Sequence, residues 1–313
     1  MALATRMEFG RELIKIGKER EDFVVFSADT KSCGLENFGK LYPGREYGMG
    51  IAEQDMMCAA AGFASCGHKV YAVTYAVFAS MRACEQVRTF ICYPNLDVTI
   101  VASHAGLQVG PDGATHMSME DVSIMRSFPN MTIIQPSDDV SARAAARAAA
   151  DFHGPLYVKL HRDPLPTIHD EANYELKIGK ANVLCSKGED AAIFATGAMV
   201  HKALHVADEL WSEGIGLRVY EMHTLKPIDA ETVLLAAKET GAILTLEDHT
   251  VLGGLGSAVS QILSESLPTR MKIMGVQDVF GESGDSESLY AAYGLGVDDI
   301  KIAVKELIHT KIT

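Results

Sequence analysis

An α/β fold with two domains and mostly parallel sheets is predicted by three features of the sequence. Short continuous apolar runs, such as Phe23 to Ser27, Lys69 to Thr74 and Leu96 to Ala102, read as strands buried on both faces. Segments with helical spacing alternate with them, the order that builds a parallel sheet through helical crossovers. Between Asp163 and about Asp190 the periodicity breaks around Pro164, Pro166 and scattered charge. The 313 residues suffice for about two domains, placed at 1–170 and 191–313 with a linker over 171–190.

Taken in order, Arg6 to Gly17 carries Phe9, Leu13 and Ile16 at helical spacing, and the strand from Phe23 then ends in Ser27-Ala28-Asp29-Thr30. Polar residues just past such a strand lie at the carboxyl edge of the sheet, where open α/β folds bind ligands; a turn or capping aspartate explains Asp29 equally well. Gly48 and Gly50 punctuate the chain before a helix in which Glu53 shares a face with Met56, Met57 and Ala60. Burial on that face pushes a carboxyl pKa upward, whereas the first turn of a helix favours the anion. An ordinary first-turn acid on a solvated face is the competing reading of Glu53.

After the strand ending at Thr74, Tyr75, Phe78 and Met81 recur every third residue in a helix running to about Phe90. Such a stripe serves a core, or a slot for a flat heterocycle. The strand Leu96 to Ala102 opens into a loop from Ser103 to His116 with His104, Asp112, His116 and three glycines, before a helix near Met119. Three polar groups in one strand-end loop point to a polar ligand or proton transfer. They also allow a zinc reading, without HExxH or a nearby cysteine.

Met131 to Gln135 is a strand, Pro136-Ser137-Asp138 starts an alanine-rich helix to Phe152, and the strand Pro155 to Leu160 delivers His161 and Arg162 to the same sheet edge. An arginine there is placed to hold an anion through its fork of donors. In the second domain, strands at Ala191 to Ala195, Leu217 to Tyr220, Ala242 to Leu246 and Lys272 to Val276 alternate with helices at Val200 to Glu213, Ala230 to Thr240 and Leu255 to Ser266. Gly253-Gly254-Leu255-Gly256 does not meet GxGxxG and reads as tight helix and sheet packing.

The bulk numbers exclude some classes. Lys and Arg total 28 against 41 Asp and Glu, a formal charge of -13 that argues against a nucleic-acid or anionic-membrane surface. The six cysteines form no CxxC pair and read as buried free thiols in a reducing compartment. With no signal-peptide core and no apolar run of spanning length, the expectation is a cytoplasmic protein.

Over nearly its whole length the chain resembles the pyrimidine-binding and carboxyl-terminal domains of the transketolase family of thiamine diphosphate enzymes. The motifs are Ala4-Thr5-Arg6, Ser27-Ala28-Asp29, Gly50-Ile51-Ala52-Glu53-Gln54, the Tyr75 to Met81 stripe, Ser103-His104 and Asp112-Gly113-Ala114-Thr115-His116. GIAEQ is similar to the deoxyxylulose phosphate synthases as well. The resemblance implies that Glu53 hands a proton to N1′ of the cofactor's aminopyrimidine, so that the 4′-amino group can deprotonate thiazolium C2 for attack on a ketose carbonyl. It implies cofactor contacts from Tyr75, Phe78, Met81 and Asp29, proton transfer or polarisation by His104 and His116, a donor hydroxyl on Asp112, and a terminal phosphate on Arg6 and Arg162.

Four departures stand against it. Met81 replaces a usual third aromatic, His161 replaces a serine before the phosphate-binding arginine, and Thr30 to Cys33 lacks a clean match to a substrate-binding serine. A modified ketose, such as a sulfonated one, is therefore an alternative to a sugar phosphate. Gly-Asp-Gly, which holds the diphosphate through Mg²⁺ in this family, is absent. The expectation is a small subunit of a split transketolase, whose partner chain supplies the Mg²⁺ ligands in an α2β2 assembly. A deoxyxylulose phosphate synthase-like or 2-oxoacid dehydrogenase beta-type subunit and a non-catalytic partner-binding module are the alternatives.

Overall fold

In the computed structural model, residues 3–29 and 33–311 are described. Most of the Thr30 to Cys33 segment lies outside them. The first domain contributes six strands to the first sheet: β1 (Phe23–Ala28), β2 (Glu46–Gly50), β3 (Lys69–Tyr75), β4 (Val98–Ser103), β5 (Thr132–Ile134) and β6 (Leu156–Lys159). Then follow β7 (Asn182–Ser186), β8 (Ala191–Ala195), β9 (Leu217–Glu221), β10 (Thr224–Lys226), β11 (Ala242–Thr250) and β12 (Arg270–Val276).

The first sheet has the order β10-β5-β6-β4-β3-β1-β2 and is parallel except for β10, which runs antiparallel to β5. The second has the order β12-β11-β8-β9-β7 and is parallel except for β7, which lies inside the stretch read as linker. β10 follows β9 of the second sheet yet pairs in the first, so the two sheets share a chain crossing. β1, β4 and β6 are buried at every residue and β3 at all but its last, which is why they appear as unbroken apolar runs.

The helices bury apolar stripes against the sheets. Thr5–Glu19 places Phe9, Leu13 and Ile16 in a core with Val25 and Tyr71, and pairs with the alanine-rich helix Asp139–Asp151. Small side chains allow that close approach, and Arg143 to Glu8 and Arg147 to Glu12, both 2.7 Å, lace the rims together. Asp138 caps the second helix by accepting from the Ser141 N–H at 2.8 Å. In the second domain a Cβ on Gly256 would overlap Ile273 of β12, so this glycine serves close helix and sheet packing, as its context predicts.

Two expectations need correction. The helix read from Tyr75 to Phe90 is broken into π-helical turns at Phe78–Arg82 and Val87–Cys92 around a short α turn. Only Cys33, Cys92 and Cys185 are buried; Cys58 and Cys66 are exposed, because Met56, Met57 and Ala60 take the inward face of the helix Glu53–Ser65.

A buried charged cluster joins the domains. Lys159, at the end of β6, pairs with Asp121 at 2.9 Å with both side chains fully buried, and donates to the Asp248 carbonyl of β11 at 3.3 Å. The Tyr157 hydroxyl donates to Asp121 at 2.9 Å.

Candidate active site

Glu53 opens the helix Glu53–Ser65 and is 2% exposed, directly after the sharp backbone turn at Gly50, whose φ is +70°. Its carboxylate faces the carboxyl end of β3. The Thr74 hydroxyl donates to it at 3.4 Å and Arg82 at 2.8 Å. The Arg82 guanidinium lies 4.1 Å over the Phe78 ring. In a π-helical turn, with its i to i+5 bonding, the residue on Phe78's face is the fourth one along, Arg82, rather than the third, Met81. Met81 is 39% exposed.

Register brings the aromatic stripe to the histidine loop. Tyr75 of β3 lies opposite Ser103 of β4, so the next residue, His104, stacks on Tyr75 with ring centroids 3.9 Å apart. His116 stands edge-on to Phe78 at 5.4 Å. His104 adopts φ +55°, a strained conformation for a side chain of this size, held by the Tyr75 stack and by Ser103 Oγ at 2.9 Å from Nδ1. Burial first, then the nearby Arg6, Arg162 and His116, push the His104 pKa down to about 3, so its ring is neutral at pH 7.

The arginines meet on the other side of this loop. An isolated bridge pairs Ala4 with Pro164, the His161 N–H donates to Thr5 Oγ1 at 2.8 Å, and Arg6 Nε donates to the Arg162 carbonyl at 3.0 Å. Arg162 donates to the Val109 carbonyl and stands 3.9 Å from the Asp112 carboxylate. Glu53, Tyr75, Phe78, His104 and His116 thus form one group, with Arg6, Asp112 and Arg162 beside it. Asp29, exposed one residue past β1, and Met81 stand outside this cluster.

His161 does not face this edge. Its ring is fully buried and accepts the Ala198 N–H at 3.1 Å from the second domain, with Gln135 at 3.0 Å. Among the described residues, no three His, Cys, Asp or Glu side chains are grouped to hold a metal ion. Nor, among them, is any helix long and apolar enough to cross a membrane.

Residues 1–167 match the family profile described as transketolase, pyrimidine binding domain, and residues 179–300 match that of the transketolase C-terminal domain. The chain belongs to the transketolase family. A 6-deoxy-6-sulfo-D-fructose transketolase subunit from Clostridium sp. (strain MSTE9) is 40% identical, covering 96% of this chain and 92% of the relative. An apulose-4-phosphate transketolase subunit from Phocaeicola vulgatus is 36% identical, covering 95% of each. A solved structure described as a split-gene transketolase, inactive β4 tetramer, superposes with a TM-score of 0.92 at 42% identity, over 99% of this chain and 100% of that one. The two sheets are therefore those of the family's pyrimidine-binding and C-terminal domains, with β10 of the second joining the first.

Arg82 and Thr74 escape sequence reasoning as partners of Glu53. Arg82 stands one place beyond the three-residue repeat, and its partner Glu53 lies 29 residues away in the chain.

Proposed function

We propose that this chain is the small subunit of a split thiamine diphosphate-dependent transketolase, moving a two-carbon ketol unit from a ketose with a terminal anion to an aldose. The observation that carries the reading is the Glu53 carboxylate, 2% exposed, bearing a flat cationic guanidinium that lies over Phe78. A buried anion beside an aromatic face fits an aminopyrimidine, which needs a carboxylate at a ring nitrogen and a flat apolar surface.

When bound, thiamine diphosphate supplies a thiazolium carbon that becomes the nucleophile toward the ketose carbonyl. Glu53 holds and moves the proton at N1′ of the pyrimidine. Tyr75 and Phe78 flank the ring, with Met81 and Asp29 at its margin. His104 is neutral and offers Nε2 to a substrate oxygen while Ser103 holds Nδ1. His116, against Phe78, serves as the second proton carrier. Asp112 orients a donor hydroxyl, and Arg6 and Arg162 bind the terminal anion.

The diphosphate and its Mg²⁺ belong, on this reading, to an N-terminal partner subunit in an α2β2 assembly. The lack of Gly-Asp-Gly supports this, as do the names of the relatives, which call each of them a subunit. Those relatives act on a sulfonated and a phosphorylated sugar by name, and an arginine pair suits either anion. The test is co-expression with a chain carrying Gly-Asp-Gly, followed by assay of fructose 6-phosphate and 6-deoxy-6-sulfofructose as donors. Transfer from one of them, lost in Glu53→Gln, supports the proposal; wild-type rates in that variant contradict it.

A further inference from the structure

The loop carrying His104, Asp112 and His116 springs from the first domain but is fastened in the second. Its apolar residues Leu107, Val109, Met117 and Met119 are buried in the second domain's core with Leu289 and Tyr290. At its start, the Leu107 N–H donates to Asp248 Oδ1 at 2.9 Å. Asp248 belongs to β11, is 1% exposed, and receives the Tyr290 hydroxyl on Oδ2 at 2.8 Å. The fit is close: Gly106 has φ +72°, and a Cβ there would overlap the Asp248 carboxylate. Further along, Gly284 N–H reaches the Gly110 carbonyl at 3.4 Å, and the Thr250 N–H donates to the Met119 carbonyl at 2.8 Å. The backbone between His104 and His116 is thus set by what Asp248 and its neighbours hold.

We infer that Asp248 is a positioning residue: by holding Leu107 N–H it fixes the histidine loop, and so sets how that loop's groups meet the donor, without touching cofactor or substrate. This deepens the proposed transfer reaction and rests on it. It also gives the second domain a part in that reaction, through the geometry of a loop that begins at His104. A carboxylate suits the task because a charge-assisted bond to a backbone N–H is stronger than a neutral one and tolerates no rival partner in a dry site.

The experiment compares Asp248→Ala, Asp248→Asn and Tyr157→Phe in the full chain and in the reconstituted pair, with fructose 6-phosphate as donor. Tyr157→Phe is the control, since it cuts a bond to Asp121 in the same buried cluster and leaves the Leu107 bond intact. In Asp248→Ala, hydrogen exchange across 104–117 accelerates by about tenfold or more. Donor kcat/KM falls by a similar factor, through KM as Asp112 shifts and through kcat as His104 and His116 shift, while half-saturation by thiamine diphosphate is unchanged. Asn, whose oxygen can accept the same N–H, recovers most of both losses, and Tyr157→Phe leaves exchange in the loop as in the wild type.

Wild-type exchange and donor kcat/KM in Asp248→Ala would overturn the inference, as would an equal loss in Tyr157→Phe. If Asp248→Ala does not fold, Gly106→Ala carries the test, because it pushes the loop off the same carboxylate from the other side. If the wild-type pair transfers nothing from any donor, the proposed reaction fails, and exchange over 104–117 alone upholds or overturns the tether.

Discussion

Arg82 gives the Glu53 carboxylate a hydrogen bond at 2.8 Å while its guanidinium lies 4.1 Å above the Phe78 ring. A flat cation thus holds both the carboxylate and the aromatic face that the proposed reaction assigns to the aminopyrimidine. Glu53 is buried and needs a partner in the free chain, whereas the Arg82 side chain is 42% exposed and has room to leave. Arg82→Ala should lower the melting temperature of the free chain, by about 1–3 kcal/mol of lost pairing. It should also enlarge the stabilisation that thiamine diphosphate gives the assembled pair, since the cofactor no longer displaces a competitor. Thermal unfolding with and without cofactor checks both.

Arg162 already reaches an anion, 3.9 Å away at Asp112, and its neighbour Arg6 is fastened to its carbonyl. Replacing Arg162 with alanine should raise KM for a phosphorylated or sulfonated donor about 10- to 100-fold, the worth of one charge-assisted contact. The effect on kcat should be much smaller. Steady-state kinetics on the reconstituted pair, with a ketose lacking the terminal anion as control, separates the two.

For His104 the prediction concerns chemistry and pH together. Alanine there should lower kcat about 10²- to 10⁴-fold, the usual worth of a positioned proton carrier. Its pKa is pushed down to about 3, so the wild-type kcat profile should show no acid limb from this ring near its ordinary pKa of about 6.5. A pH–rate comparison of wild type with a His104→Asn variant reads this out.

Much of this architecture is legible in the sequence. The helices Ala230–Thr240 and Leu255–Ser266 have the limits their patterns predict, because each follows a clear turn and carries strong periodicity. β2 is not legible. Its sequence, EYGMG, holds two glycines, which are scarce in strands, and it forms only by pairing with β1 at the edge of the sheet. β10 is hidden for a similar reason: three residues make a strand only because β5 of the other domain is there to pair with. At the site, the aromatic stripe and the histidine loop announce themselves as local patterns. The Arg82 contact with Glu53 spans 29 residues of chain and the Asp248 tether 141, and neither leaves a local mark.

Buried neutral histidines should make the protein acid-sensitive. Burial pushes His161 down to about 3 and His249 to about 4. On acidification the unfolded chain takes up these protons first, near pH 6.5, so the stability they contribute is complete above that value and declines from there toward pH 3 to 4. Each contributes a slope of about 1.4 kcal/mol per pH unit within the window. Urea unfolding of wild type and His161→Gln at several pH values should show the shallower slope in the variant.

Whether the cofactor site needs two chains is read directly by titrating thiamine diphosphate with Mg²⁺ into this chain alone, into a Gly-Asp-Gly partner alone, and into the two together. Tight binding and transfer of a two-carbon unit only in the mixture is the predicted result. Full cofactor binding by this chain alone, or a mixture carrying Glu53→Gln that works at the wild-type rate, would contradict the account.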